Sequence, residues 1–190
     1  MDPVTPLRLV GERVIVRIAG PDDVAAILDY FERNRDFLKP FEPTRSASFY
    51  TETFWRSRVM SDSHDYDEGR AMRCFLFDKQ DDRTVLGMAN FNSIIRGVAH
   101  HCTLGYGLGE HSEGRGLMRE ALELVIAHAF GPLNLHRIQA NYMPHNRRSG
   151  GLLRRLGFQV EGYARDYLML DGQWEDHVLT SLTNQEWRQV

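Results

Sequence analysis

The order of apolar patterns along the chain predicts an α/β (α+β) fold, a mixed and mostly antiparallel central sheet flanked by helices. Three observations predict it. Runs that read as strands and helices follow the order strand, two helices, three strands, helix, strand, helix, two strands. Two turn signals, Arg96-Gly97 and Asp171-Gly172, each join neighbouring strand runs as a hairpin. Regular strand–helix alternation, the mark of a parallel sheet, is missing.

Each element has its own signal. "RVIVRI" (Arg13 to Ile18) alternates apolar and polar residues, as a half-buried strand does. "GPDDVAAILDYFERN" follows with acidic residues opening a helix and Val24, Ile27, Leu28 and Phe31 as its buried stripe. A second, weaker helix is expected over Phe49 to Met60. "AMRCFLF" reads as a strand closed by the turn-rich "DKQDDR". "TVLGMANFNSII" and "AHHCTLGYGL" form the hairpin around Arg96-Gly97. A long helix from about Gly116 carries Leu117, Ala121, Leu124, Val125 and His128 on one face, and "FGP" ends it. "HRIQANY" is a strand, "NRRSGGLLRRLGF" a helix with Gly157 just past its end, and "ARDYLMLDGQWEDHVLTSL" the second hairpin.

Size and charge narrow the functional classes. A chain of 190 residues and 22.0 kDa with 42% hydrophobic residues is long enough for one buried core, so residues 1–190 are expected to form one domain. A net charge of -3 and a pI near 6.2 provide no general basic field, which argues against binding along a nucleic-acid backbone. Cys74 and Cys102 match no zinc spacing and are too few for a disulfide framework. The opening "MDPVTPLRLV" lacks a cationic start before an apolar run, and no apolar stretch approaches membrane-spanning length. A cytoplasmic protein without a membrane partner is the expectation. His100-His101 would face opposite sides of a strand and make a poor metal pair, so no metal is expected.

The junction Gly114-Arg115-Gly116 stands between a glycine-studded strand and a long helix. Unpaired N–H groups and the positive end of the helix dipole make such a terminus an anion site, and glycines let a phosphate approach the backbone. Glu113 beside the glycines weighs against this, and a turn that merely starts a helix is the competing reading. A P-loop would need Gly-Lys-Ser/Thr, and a dinucleotide fingerprint a third glycine where Arg119 stands; both are absent.

"HSEGRG" (His111 to Gly116) resembles the acetyl-CoA pyrophosphate loop of the GCN5-related N-acetyltransferases, Gln/Arg-x-x-Gly-x-Gly/Ala, with His111 in place of the usual glutamine or arginine. The element order is also that family's. "NRDFLKPFEP" (Asn34 to Pro43), "IIRG" (Ile94 to Gly97), "ANYMPHNRRSG" (Ala140 to Gly150) and "DGQWEDHVLT" (Asp171 to Thr180) are similar to its bacterial RimJ branch. That branch acetylates the N-terminal alanine of the ribosomal protein uS5.

The resemblance implies a sheet splayed between its central strands, with acetyl-CoA as cosubstrate. The main chain of Tyr106, Gly107 and Leu108 would bind the pantetheine arm; His111, Ser112, Glu113, Gly114, Arg115, Gly116, Leu117 and Met118 would wrap the pyrophosphate. Asn146 and Ser149 match positions near the sulfur, although an N-cap and a first-turn serine are their plain readings. The implied reaction is direct attack of an amine on the thioester, with Ser149 as the acid toward the departing thiolate. Leu153 stands where many relatives carry an acid tyrosine, and Leu168 where the RimL-type enzymes place a glutamate. Asp166, Tyr167 and Glu110, or a water relay, remain candidates for the base. The implied partner is a ribosomal-protein N-terminus or peptide, acted on by a monomer or homodimer. Acetylation of a small-molecule amine, or a non-catalytic acetyl-CoA binder that assists ribosome assembly, are the alternatives.

Other stretches carry weaker expectations. "DSHDYDEG" (Asp62 to Gly69) reads as a solvated acidic loop able to steer a basic partner. "NRDFLKPFEP" reads as a rigid loop, either walling a peptide channel or serving as a packed connector. Trp174 beside the Asp171-Gly172 turn is expected to pack on its hairpin.

Overall fold

In the computed structural model, which describes residues 7–189, the chain opens with strands β1 (Arg8–Val10) and β2 (Val14–Arg17). Helices α1 (Val24–Arg33), α2 (Arg35–Leu38) and α3 (Glu52–Asp67) follow. Strands β3 (Met72–Asp78), β4 (Val85–Ile95) and β5 (His101–Leu108) lead to α4 (Leu117–Phe130). Then come β6 (Arg137–Tyr142), α5 (Arg147–Arg155), β7 (Gln159–Leu170) and β8 (Gln173–Thr183).

All the strands join one sheet in the order β1-β2-β3-β4-β5-β6-β8-β7, antiparallel at every step except β5–β6. Alternation along the strands sorts their side chains onto two faces. One face, with Val16, Cys74, Phe91, Leu104 and Ile138, packs on Leu122 and Val125 of α4 and Leu153 of α5. The other, with Ile15, Phe75 and Phe77, packs on Ile27 and Phe31 of α1 and Trp55 of α3. There Phe31 stacks on Trp55 at 5.0 Å and meets Phe49 edge-on at 4.8 Å, arrangements that add to the area buried.

The β5–β6 pair positions the site. Its ladder runs from His101↔Arg137 to Leu104↔Ala140 and stops. From Gly105 on, β5 continues along β4 alone, while Asn141 and Tyr142 continue β6 along β8. Two adjacent parallel strands thus part, and the β6-facing edge of β5 from Gly105 to Leu108 has no strand beside it.

Several expectations change. β2 is buried on both faces, with Val14, Ile15 and Val16 between 0% and 3% exposed, because helices cover both sides. The three-residue β1 is an unexpected edge strand. The acidic stretch from Asp62 to Asp67 is helical rather than a free loop, and two of its carboxylates are paired internally: Arg58 and Arg73 pair with buried Asp62, and Arg70 and Arg73 with Asp65. Residues 34–43 contain α2 and a 3₁₀ turn at Lys39–Phe41, not a plain loop. β7 begins at Gln159, earlier than expected, since an edge strand exposed along most of its length shows no alternation. On α4, Leu122, Met118 and Ala129 are buried and Leu124 and His128 only half-buried, so the core stripe is rotated from the expected one. His100 lies in the turn at φ 42 rather than in β5, and Trp174 is 58% exposed rather than packed.

Candidate active site

The loop between β5 and α4 is shaped by two residues that only glycine suits. Gly114 and Gly116 have φ of 72° and 76°, the left-handed region that costs other residues roughly 1–2 kcal/mol. Gly116 caps α4 without a side-chain hydrogen bond, so the first-turn amides of a fourteen-residue helix are unspent. Nothing lies within 4 Å of where a Gly114 side chain would start, so this side of the loop is open.

Around the glycines, each expected residue has a definite place. Leu117 and Met118 send their side chains into the core, at 3% and 6% exposure, leaving only main chain for the loop. Ser112 is buried, whereas His111 and Arg115 are exposed. The Glu113 carboxylate pairs with Arg148 of α5, so the charge that weighed against an anion site already has a partner. Just past the end of α1, buried Asn34 steadies the loop: its Oδ1 accepts the Glu110 N–H at 2.9 Å while its Nδ2 donates to the Tyr30 carbonyl at 2.7 Å.

The start of α5 reaches the same region. Asn146 caps this helix, its Oδ1 accepting the Ser149 N–H at 3.1 Å, as the capping reading anticipates. The Ser149 hydroxyl lies 2.8 Å from the Tyr106 hydroxyl of β5. A bond between β5 and α5 therefore bridges the place where β5 and β6 part. Burial pushes the Tyr106 phenol up to about 12, so it keeps its proton at neutral pH. Sequence reasoning placed Tyr106 here for its main chain and missed its hydroxyl; an exposed-looking tyrosine among glycines was the available signal. Gly150 permits the approach of α5, because a side chain there would start 2.6 Å from the Tyr142 ring.

Of the candidate bases, Glu110 lies on the β5–α4 loop, and Asp166 and Tyr167 lie on β7. Asp166 occupies a bulge of β7 at φ 48°, and its N–H donates to Asp176 Oδ1 at 2.8 Å. The Tyr167 hydroxyl accepts from Asn141 Nδ2 at 3.2 Å, just past the point where β6 leaves β5, and its ring lies 5.5 Å from His177. Among the described residues neither bonds to Ser149, so the structure brings Tyr106, Asn146 and Ser149 together and leaves Asp166 and Tyr167 on the neighbouring hairpin. Leu153 is a core residue at 1% exposure and Leu168 is 43% exposed.

Cys74 and Cys102 are fully buried, and burial raises both thiols, Cys102 to about 12. Neither is a nucleophile in this state. Among the described residues, no group of three or more His, Cys, Asp or Glu side chains is arranged to hold a metal.

The opposite face of the same strands is partly hollow. Met88 opposes Gly107 and Asn90 opposes Gly105, and opposed residues share a face, so the two glycines leave the sheet bare there. A cavity of about 110 Å³ touches Met88, Asn90, Phe31 and Arg45. A second, of about 230 Å³, touches Phe31, Arg45, Glu42 and Asp171.

Comparison with known proteins agrees with this geometry. Residues 13–159 match the family model described as an acetyltransferase (GNAT) domain. The chain is 46% identical to the ribosomal protein uS5-alanine N-acetyltransferase of Escherichia coli over 184 residues, 97% of this chain and 94% of the relative. The ribosomal-protein-S5-alanine acetyltransferase of Vibrio fischeri superposes with a TM-score of 0.92 at 36% identity, over 96% of this chain and 100% of that one. RimJ of Mycobacterium smegmatis in complex with CoA-disulfide superposes at 0.85 and 28% identity, over 97% and 88%. No described helix is long and apolar enough to cross a membrane. A splayed parallel pair, an open glycine loop at a helix start and this kinship agree: the chain belongs to the GNAT acetyltransferase family and is an N-acetyltransferase.

Proposed function

We propose that this chain transfers an acetyl group from acetyl-CoA to the α-amine of the N-terminal alanine of a uS5-type ribosomal protein, as one acetyltransferase domain acting in the cytoplasm. The observation that carries the reading is the 2.8 Å Tyr106–Ser149 hydrogen bond, a proton source set where β5 and β6 part. Its specific acceptor rests on the 46% identity to a relative that acts on uS5.

The residues present fit the cosubstrate, since open space beside Gly114 and unspent amides at the start of α4 form a cradle for a phosphorylated arm. When bound, acetyl-CoA supplies an activated thioester carbonyl and a sulfur leaving group. The main chain of His111 to Gly116 and the first amides of α4, at Leu117 and Met118, would hold its pyrophosphate. The free edge of β5 at Tyr106, Gly107 and Leu108 would hold the arm, and a main-chain donor near Leu108 would meet the carbonyl oxygen as it gains charge. Asn146 sets the Ser149 backbone through its cap.

Proton traffic follows from the Tyr106–Ser149 pair. Tyr106 is protonated at neutral pH; as Ser149 passes its proton to the departing sulfur, the phenol passes its own to Ser149 Oγ and is reprotonated from solvent, so the phenol supplies what a tyrosine at position 153 would. On the acceptor side little basicity is needed, because an α-amine with a pKa of about 7.7 to 8.0 is partly neutral near pH 7. Asp166, Tyr167, Glu110 or a water relay takes the proton released on attack. The acceptor enters over the bare face at Gly105 and Gly107, opposite the face that carries Ser149.

The test is a mass measurement on purified protein with acetyl-CoA and two basic peptides. One has a free N-terminal alanine, and the other is blocked at its N-terminus but contains lysine. Acetylation of the alanine amine alone supports the reading; acetylation of neither, with acetyl-CoA still bound, favours a small-molecule amine or a binding role.

A further inference from the structure

The cofactor loop is held by a residue far away in sequence. Arg13, just before β2, donates from Nη1 to the Arg115 carbonyl at 2.8 Å and from Nε to Glu120 Oε2 at 2.8 Å. Glu120, in the first turn of α4, uses its other oxygen to accept the N–H groups of Arg13 at 2.7 Å and Val14 at 3.2 Å. The guanidinium is thus fixed at two points, and it reaches the loop at Gly116, where a side chain would start 3.5 Å from Arg13 Nη2.

Two consequences follow from elementary geometry and charge. A trans peptide places its C=O and N–H on opposite sides, and among the described residues no peptide is cis. Holding the Arg115 carbonyl toward β2 therefore turns the Gly116 N–H of the same unit away from β2, to the side opposite Arg13. In addition, Glu120 puts a negative charge one turn from the anion cradle. Burial would raise its carboxyl, but the N–H groups of Arg13 and Val14 and the Arg13 charge outweigh this and keep it ionised. Arg13 neutralises it in place, where a bare carboxylate would repel phosphate.

We propose that Arg13 is a positioning residue for cofactor binding: by holding the Arg115 carbonyl and neutralising Glu120, it aims the Gly116 amide at the phosphates. The inference rests on the acetyl-CoA reading of this loop and adds to it a residue outside the glycine motif.

The experiment is calorimetric titration of CoA into the full-length wild type, Arg13→Met and Arg13→Lys, with KM values for acetyl-CoA and for the alanine peptide alongside. Arg13→Met is expected to weaken CoA at least tenfold. Arg13→Lys, which keeps the charge and one reach to the carbonyl, should fall between it and the wild type. The change should appear in the KM for acetyl-CoA and not in that for the peptide. CoA affinity within twofold of wild type in Arg13→Met overturns the proposal, whatever happens to its melting temperature. Should Arg13→Met not fold, Arg13→Lys decides: a threefold or greater loss of CoA affinity supports the proposal, and a smaller one overturns it. Failure of the wild type to bind CoA would overturn the cofactor reading itself, a result distinct from equal binding by wild type and variant.

Discussion

The Tyr106 and Ser149 hydroxyls lie 2.8 Å apart, joining β5 to α5 across the gap where β5 and β6 separate. In the proposed mechanism the phenol, held neutral by burial, is the proton donor to the serine. Tyr106→Phe removes that donor and keeps the ring. Its kcat should fall about tenfold, the equivalent of roughly 1.4 kcal/mol for one hydrogen bond, with little change in CoA affinity. Steady-state kinetics beside a CoA titration check this. Unchanged kcat would leave the phenol a packing role only.

Gly116 tests the cradle itself. Valine at φ 76° would strain the backbone by about 1–2 kcal/mol and place a branched side chain beside Arg13. Gly116→Val should bind acetyl-CoA at least tenfold more weakly while losing only a few degrees of melting temperature. Undiminished affinity would remove the loop from the cofactor site.

Several local features of the candidate site are legible in the sequence. The Asn146 cap, the Ser149 that follows it and the glycines at 114 and 116 are local features, and local features leave local marks. Val24, Ile27 and Phe31 are buried as their helical spacing required, while Leu28 of the same expected stripe is only half-buried. What stayed hidden depends on partners distant in the chain. Arg13 and Glu120 are 107 positions apart, and the Tyr106 hydroxyl meets a serine 43 positions on. The Asp62–Asp67 turns look like a solvated loop because Arg70 and Arg73, which pair with Asp62 and Asp65, lie beyond the helix. Strand β7 lacks alternation because it is the sheet edge, so neither of its faces is consistently covered.

Stability should carry an acid signature from the Arg17–Asp23 pair. The two side chains, 16% and 14% exposed, form hydrogen bonds of 2.6 and 2.7 Å, and Arg17 lies 3.7 Å from the centre of the Phe77 ring. Burial would raise the Asp23 carboxyl, but the Arg17 hydrogen bonds, the Gly20 N–H and the Arg17 charge outweigh it and hold it below its ordinary value. A carboxyl depressed in the folded state stabilises above its unfolded pKa, and that stability is lost as pH falls through the folded value. Asp23→Asn should cost roughly 3 kcal/mol at pH 7, about 6–12 °C in melting temperature. The gap to wild type should narrow below pH 4. A gap that stays constant down to pH 3 would count against this pair as the source.

The cysteines should be silent. With both thiols buried and raised, native protein treated with iodoacetamide at pH 7.5 should gain no mass and keep its activity. An adduct accompanied by inactivation would point to a cysteine role that the fold does not provide for.

The most direct test of the account is Ser149→Ala, with alanine-peptide turnover and CoA affinity measured on the same preparation. The Asn146 cap uses only the backbone N–H of residue 149, so the helix start survives the change. The account predicts a kcat lowered about 100-fold or more, as for loss of a general acid, with CoA binding kept within a few-fold of wild type. Full turnover in Ser149→Ala would contradict it.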